Sequence, residues 1–422
     1  MAVPHSLFGK YSKYNISAFS ISFEIGDIDP QGGFLTNQDD HIMHEYFHLV
    51  QASSTIFGLW NFITYIISFL EISQASRRNG DTNKFAQGFN SWEKMEDKKE
   101  IIRVQDSLFE KDLVMFAQSI TFKRFSKTKK QNIKTSEGEH PFPSICAEFD
   151  NNGSPLNYEL VPRTFYEAYS KCVDFETNQK PYHVPYGSDQ FYYYAVLIIL
   201  HQLFPNISNA QCAVILHWSL NSISPGEFFK EIIEYLQTNH NTTLPPPHDL
   251  SIDIRDNVFQ QYSHLLDDTL GKLYGLFQSY QEDGILGSIL KDLYNFYDQN
   301  LSYIAYNLDP PCLSMYPFVL TPGQIMPRIS QCMAHNTTIL PLPLYFRPEN
   351  GYAYTATPIP FSNYSKVTSL LCVFEMVKNG SLIYGCPIHN ACALPCKDDS
   401  CLHHLYKKDA SCEIITILKM FK

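Results

Sequence analysis

The 422-residue sequence is short of several things, and each shortage narrows what the chain can do. Cations are outnumbered, 32 Lys and Arg against 43 Asp and Glu, which leaves a formal net charge of −11. An acidic chain repels a polyanion, so no nucleic-acid partner is expected. The single basic run, Lys123, Arg124, Lys127, Lys129, Lys130 and Lys134, is interleaved with Ser, Thr and Gln and reads as a solvated loop. Long hydrophobic runs are also missing. The two longest, Leu59 to Leu70 and Phe191 to Leu203, are broken by polar residues and too short to span a bilayer, so no membrane partner is expected. Met1 to Lys13 holds no apolar stretch of the kind a secretory leader needs. Cysteines number 11, an odd count in a chain too large to need a disulfide scaffold, so reduced thiols in a cytoplasmic setting are expected.

What is present suits a folded protein. Hydrophobic residues make up 44%, enough over this length to bury a sizeable core. Residues 17–26 alternate apolar and polar and predict a strand. Asp29 to Gly33 reads as a turn, and Thr36 with Asp39 as a helix start for a helix reaching about Gln51. Further helices are expected over about Gly58–Gln74, Pro162–Glu176, Asp189–Phe204 and Ala210–Leu220, the second of these opened by a proline at its first position. Ser224-Pro225-Gly226-Glu227 has the pattern of a capping box and predicts a helix to about Leu236. Residues 126–157 are polar, with Gly and Pro, and predict loop. Asn241 to Pro247 is the expected linker, after which Val258 to Tyr306 is helical in pattern. The reading is α+β and mainly α, with a small sheet near the N-terminus. Residues 1–240 form one expected domain, and residues 250–422 a helical region with a Cys-rich tail.

The most specific chemistry lies in His44-Glu45-Tyr46-Phe47-His48. Two histidines four apart project from one face of a helix and can share one Zn²⁺. Glu45, beside the first of them, is placed to act as general base toward a metal-activated water. These residues make up the HExxH motif. The sequence here resembles the HExxH zinc metallopeptidases, in particular the gluzincin arrangement. The stretch HEYFHLVQASSTIFGL is also similar to an uncharacterised group of bacterial zincin-like proteins, which carry a Gln after the motif and a later helix with a Glu followed by a small residue. That helix matches Glu167-Ala168-Tyr169-Ser170-Lys171 through Glu176, followed by Pro181-Tyr182. The resemblance implies a zincin-like core, a zinc site of His44, His48 and Glu167, and hydrolysis of a peptide or protein substrate. The metzincin continuation is absent, since Gln51 and Ser54 stand at its Gly and third His positions. Lys171 stands where many gluzincins place an Asp, so either Asp174 takes that role or the histidines are oriented by other residues.

Glu71 is the rival third ligand, nearer in sequence. It lies 13 residues into its expected helix, about 20 Å at 1.5 Å per residue. That carries it past both histidines, so Glu167 is preferred. A di-iron site is a second rival, because Glu45 and His48 fit Glu-x-x-His. Such a site needs another motif of that form, and the only spacing match, Glu137 to His140, falls in the expected loop.

Tyr182, His183 and Tyr186 follow the Glu167 helix and are candidates for stabilising an oxyanion, and His183 is the one expected to be catalytic. Plain aromatic packing is the alternative. His201 and His217 sit in apolar helices and read as core or helix-interface residues. Cys386, Cys392, Cys396 and Cys401, with His389, His403 and His404 nearby, are dense enough for a structural zinc. Their spacing matches no standard pair, and unligated thiols or labile disulfides remain the alternative. The function expected is a zinc-dependent hydrolase; the alternative is a non-catalytic zinc-binding or regulatory protein on the same scaffold.

Overall fold

The structure is a computed structural model. It describes residues 12–15, 20–23, seven positions between 44 and 55, then 56–78, 95–109, 114, 116, 119–126, 132–135, 138–141, 145–177, 182, 191–282, 284–306, 343–346 and 353–355, with single positions at Leu370, Val373, Phe374, Lys378 and Ile417. Thr36, Asp39, Glu45, His183, Tyr186 and the tail cysteines Cys386, Cys392, Cys396 and Cys401 lie outside the described residues.

Helix dominates, so the mainly α, α+β expectation holds. The helices are α1 (Ile56–Arg78), α2 (Glu96–Ser107), α3 (Pro162–Thr177), α4 (Phe191–Leu203), α5 (Asn209–Ser219), α6 (Pro225–His240), α7 (Pro247–Asn257), α8 (His264–Ser279) and α9 (Leu286–Tyr306). His44, Phe47, His48, Gln51, Ala52 and Ser54 are helical as well, so the motif lies on a helix as its spacing requires. No described helix is long and apolar enough to cross a membrane.

The centre of the core is α3, packed against α4 on one side and α5 on another. The sequence of α4, FYYYAVLIILHQL, is apolar on nearly every side, and nine of the ten positions from Phe191 to Leu200, all but Tyr193, are buried. A helix buried all round needs no amphipathic stripe. Because α3 carries Glu167, the candidate ligand sits on the most enclosed element of the fold.

The described strands form three sheets, one of four strands, one of three and one of two. Strand β2 (Ser20–Phe23) pairs antiparallel with β1 (Ser12–Asn15) and parallel with β8 (Pro343–Phe346), which pairs with β9 (Ala353–Thr355). The strand expected within residues 17–26 is therefore present, and its parallel neighbour comes from late in the chain. The loop expected over 126–157 is corrected. That region completes β3 (Thr121–Ser126) and forms β4 (Asn132–Thr135), β5 (Gly138–Pro141), β6 (Cys146–Asn151) and β7 (Ser154–Glu159). The β6–β7 turn is Asn152-Gly153, both with positive φ, 55° and 84°. That pair of angles is the two-residue hairpin turn matching strand twist, and Asn-Gly is its strongest sequence signal.

One face of the β3–β6–β7 sheet is buried through Phe122, Ala147, Phe149 and Tyr158, and the rings of Phe149 and Tyr158 meet Phe191 of α4 edge-on. The other face is polar. Two residues of the basic run, Lys123 and Arg124, pair there with Asp150 and Glu148 of β6, at 3.2 and 2.7 Å. That part of the run is strand, not loop.

Helix ends show where sequence signals competed. Ser224 makes no side-chain cap bond, so the expected capping box does not form. The reciprocal box is instead Ser208 with Gln211, at the start of α5. Gln211 also donates to the carbonyls of Leu244 and Pro245, at 3.3 and 2.6 Å, which ties the expected linker down. The first N–H groups of α1 are satisfied by Asn221 Oδ1 and by the Leu220 carbonyl past α5. Gly58 permits that junction: a Cβ there would run into the Ala52 backbone, so the motif helix and α1 could not meet as closely. From α9, Tyr297 donates to the Ala52 carbonyl at 3.3 Å, bracing the motif helix from residues beyond 250.

Candidate metal centre

Three side chains expected together from sequence are together here. The ligand atoms of His44, His48 and Glu167 all lie within 4.8 Å of one another, and all three residues are buried. His44 Nε2 is 3.2 Å from Glu167 Oε2, and His48 Nε2 is 3.5 Å from the same oxygen. Such a group can hold a metal ion. Among the described residues no fourth His, Cys, Asp or Glu joins it.

The carboxylate is fixed by a residue the sequence reading passed over. Arg163, four positions earlier on α3, donates from Nη2 to Glu167 Oε1 at 2.8 Å, and from Nη1 to the Phe109 carbonyl at 2.6 Å. Its guanidinium also stacks over the Tyr192 ring, 4.6 Å from the centroid. Because Arg163 occupies Oε1, only Oε2 faces the histidines. Burial alone would raise the Glu167 pKa; the Arg163 charge leads the effects that outweigh it and hold the carboxyl well below the usual carboxylate range. The (i, i+4) spacing of Arg163 and Glu167 on a helix was the available sign.

The orientation of His48 follows from a chain of hydrogen bonds. A backbone carbonyl can only accept, so the Tyr166 oxygen accepts a hydrogen bond from Gln51 Nε2 at 3.0 Å. That turns Gln51 Oε1 toward His48 Nδ1, also at 3.0 Å. An amide oxygen can only accept as well, so Nδ1 must carry the proton. Burial lowers the His48 pKa and keeps the ring neutral. Nε2 then presents a lone pair to Glu167 Oε2, which presents another. Two acceptors facing each other at 3.5 Å call for a cation between them.

Gln51 thus orients the His48 ring. Ser170, 3.3 Å from His48 Nδ1, lies beside it. Lys171, at the expected Asp position, instead lies over the Phe175 ring. The Asp174 side chain lies outside the described residues. Replacing Gln51 by leucine is expected to weaken metal binding about 10–100-fold, the usual cost of losing an orienting partner. It also leaves the Tyr166 carbonyl without its donor, costing about 1–3 kcal/mol of stability. Isothermal titration with zinc and thermal unfolding check the two effects, and unchanged zinc affinity would remove Gln51 from the site.

Other expected residues fall elsewhere. Glu71 pairs with Lys98 of α2 at 2.8 Å and is not in the group. His140 lies on β5, a strand, so Glu137 to His140 does not supply the second helical motif a di-iron site needs. Tyr182 stacks on His201, ring centroids 3.7 Å apart, and meets Phe175 edge-on. His217 is a core histidine: burial lowers its pKa to about 3, and it packs against Tyr169 and Trp218. Tyr193, half-buried with its ring 5.9 Å from His44, borders the site and was not foreseen. Comparison with known proteins gave no match: no family model, curated protein or solved structure aligns with the chain.

Proposed function

We propose that this chain is a zinc-dependent hydrolase, a metallopeptidase of gluzincin type on a zincin-like core, acting on a peptide or protein substrate. The observation that carries the reading is the convergence of His44, His48 and Glu167, buried side chains whose ligand atoms all lie within 4.8 Å of one another. Two imidazoles and one carboxylate are the donor set of catalytic zinc sites, whereas hard cations such as Mg²⁺ and Ca²⁺ prefer oxygen alone. Three protein ligands leave a position open, and Arg163 favours that outcome by holding back the second carboxylate oxygen.

When bound, zinc supplies an activated water and a Lewis acid for a carbonyl. His44 and His48 would hold it through Nε2, and Glu167 through Oε2. Gln51 keeps His48 in the tautomer that can do so. Glu45, next to His44 in sequence, would serve as the base that takes the water's proton and passes it to the leaving amine. The enclosing aromatic side chains, Tyr166 stacked on His48 and Tyr193 near His44, limit bulk water around the polar centre. A second, structural zinc on Cys386, Cys392, Cys396 and Cys401 belongs to the same proposal and rests on the sequence alone.

The test combines metal analysis with a peptide-library digest of the full chain. Zinc should be found, and cleavage should stop with a chelator and return with added zinc. A zinc-loaded chain that cleaves nothing would favour the non-catalytic zinc-binding alternative. A chain that takes up no metal would overturn both.

A further inference from the structure

A second cluster of reactive side chains lies on the α3–α5 side of the core, apart from the three metal-binding candidates and independent of their reading. Cys172 of α3 and Cys212 of α5 are buried, 1% and 0% exposed, on two helices packed against each other, and the two thiols interact. His201, near the end of α4, places Nε2 3.9 Å from Cys212 Sγ. Tyr182 lies flat on the His201 ring and fixes its position. Two thiols from different helices, and an imidazole aimed at one of them, are brought together from three elements.

We propose that Cys172 and Cys212 form a redox-active thiol pair, with His201 as proton acceptor, that a hydroperoxide converts to a disulfide joining α3 to α5. Buried thiols in apolar surroundings are ordinarily inert, because burial disfavours the thiolate. Here burial also pushes the Cys212 thiol up, but the Cys172 S–H and the His201 ring outweigh it and lower its pKa. His201 and Tyr182 are the members of the cluster with solvent exposure, so a small oxidant approaches from their side.

The steps balance as follows. His201 takes the Cys212 proton, and the thiolate sulfur attacks one peroxide oxygen. The O–O bond breaks, the departing oxygen takes the proton from His201, and water (or an alcohol) leaves Cys212 as the sulfenic acid. Cys172 sulfur then attacks Cys212 sulfur, the S–O bond breaks, and the hydroxyl leaves as water with the Cys172 proton. Two thiols lose two electrons in all, and the hydroperoxide gains them. The new bond cross-links the helix that carries Glu167 to its neighbour.

The sequence makes the test direct. Trypsin cuts after Lys171, Lys180 is followed by Pro181, and the next basic residue is Lys230, so one tryptic peptide carries these two cysteines and no other. The full chain is treated with limiting hydrogen peroxide, alkylated with N-ethylmaleimide and digested. The peptide should lose two hydrogens, take up no alkylating group and recover both thiols on reduction. Cys172→Ser should halt Cys212 at the sulfenic acid, trapped by dimedone. His201→Phe, which keeps an aromatic ring against Tyr182, should slow the reaction at least about tenfold by removing the proton acceptor. Oxidation confined to other cysteines, or no dimedone adduct on Cys212 in Cys172→Ser, would overturn the pair; wild-type kinetics in His201→Phe would overturn the role of the imidazole.

Discussion

Glu167→Ala is expected to strip the candidate site of zinc and to destabilise the protein in the same step. The two effects have separate causes and can be separated. Oε2 is the only carboxylate oxygen facing His44 and His48, so its removal leaves two neutral ligands and no charge to offset a dication. Loss of an orienting partner alone costs about 10–100-fold in affinity; loss of a ligand should exceed that. The destabilisation comes from Arg163, 1% exposed, whose guanidinium would stay buried without its counter-charge. Breaking one side of such a pair costs about 3–5 kcal/mol. Glu167→Gln should divide the effects. Its amide oxygen can still accept from Arg163 and recover part of the stability, while the uncharged group binds zinc weakly. The expected order of apo-protein stability is wild type, then Gln, then Ala, with zinc content low in both variants. Glu71→Gln is the control: its carboxylate faces Lys98, so metal content should not change. Stoichiometric zinc in Glu167→Gln, or its loss in Glu71→Gln, would sink the ligand assignment.

The parts of this site that were legible beforehand rest on fixed spacings. His44 and His48 had to share a helix face once the stretch was helical, and Pro162 marked the start of α3 correctly. Glu167 came from the resemblance and not from any rule of spacing, because it lies 119 positions after His48 and local geometry leaves its approach undetermined. What went unseen was mostly tertiary. Gln51 is an unremarkable polar residue until the Tyr166 carbonyl, from α3, dictates which way its amide turns. The sheet at 121–159 was missed for a different reason. Its outward face is so polar that the segment resembles loop, and only the Asn152-Gly153 turn announces a hairpin. Ser224 shows the converse: a convincing cap pattern that the chain does not use, beside a Ser208–Gln211 box that it does.

Glu45→Gln should leave zinc bound and remove hydrolysis. The substitution alters neither volume nor the two histidines, and it touches neither Glu167 nor Gln51. On a 3.6-residue turn, the residue after His44 points about 100° away from it. That spacing keeps Glu45 off the helix face that His44 and His48 share. A glutamine there can hydrogen-bond but cannot accept the proton. The rate should fall about 10²–10⁴-fold, the usual contribution of a general base, with zinc content and melting temperature close to those of wild type. The remaining outcomes discriminate among the readings. Full activity with zinc retained would place the base elsewhere. Loss of metal would make Glu45 a ligand, as the Glu-x-x-His geometry of a di-iron site requires. That result would revive a reading that His140 now opposes by lying on a strand.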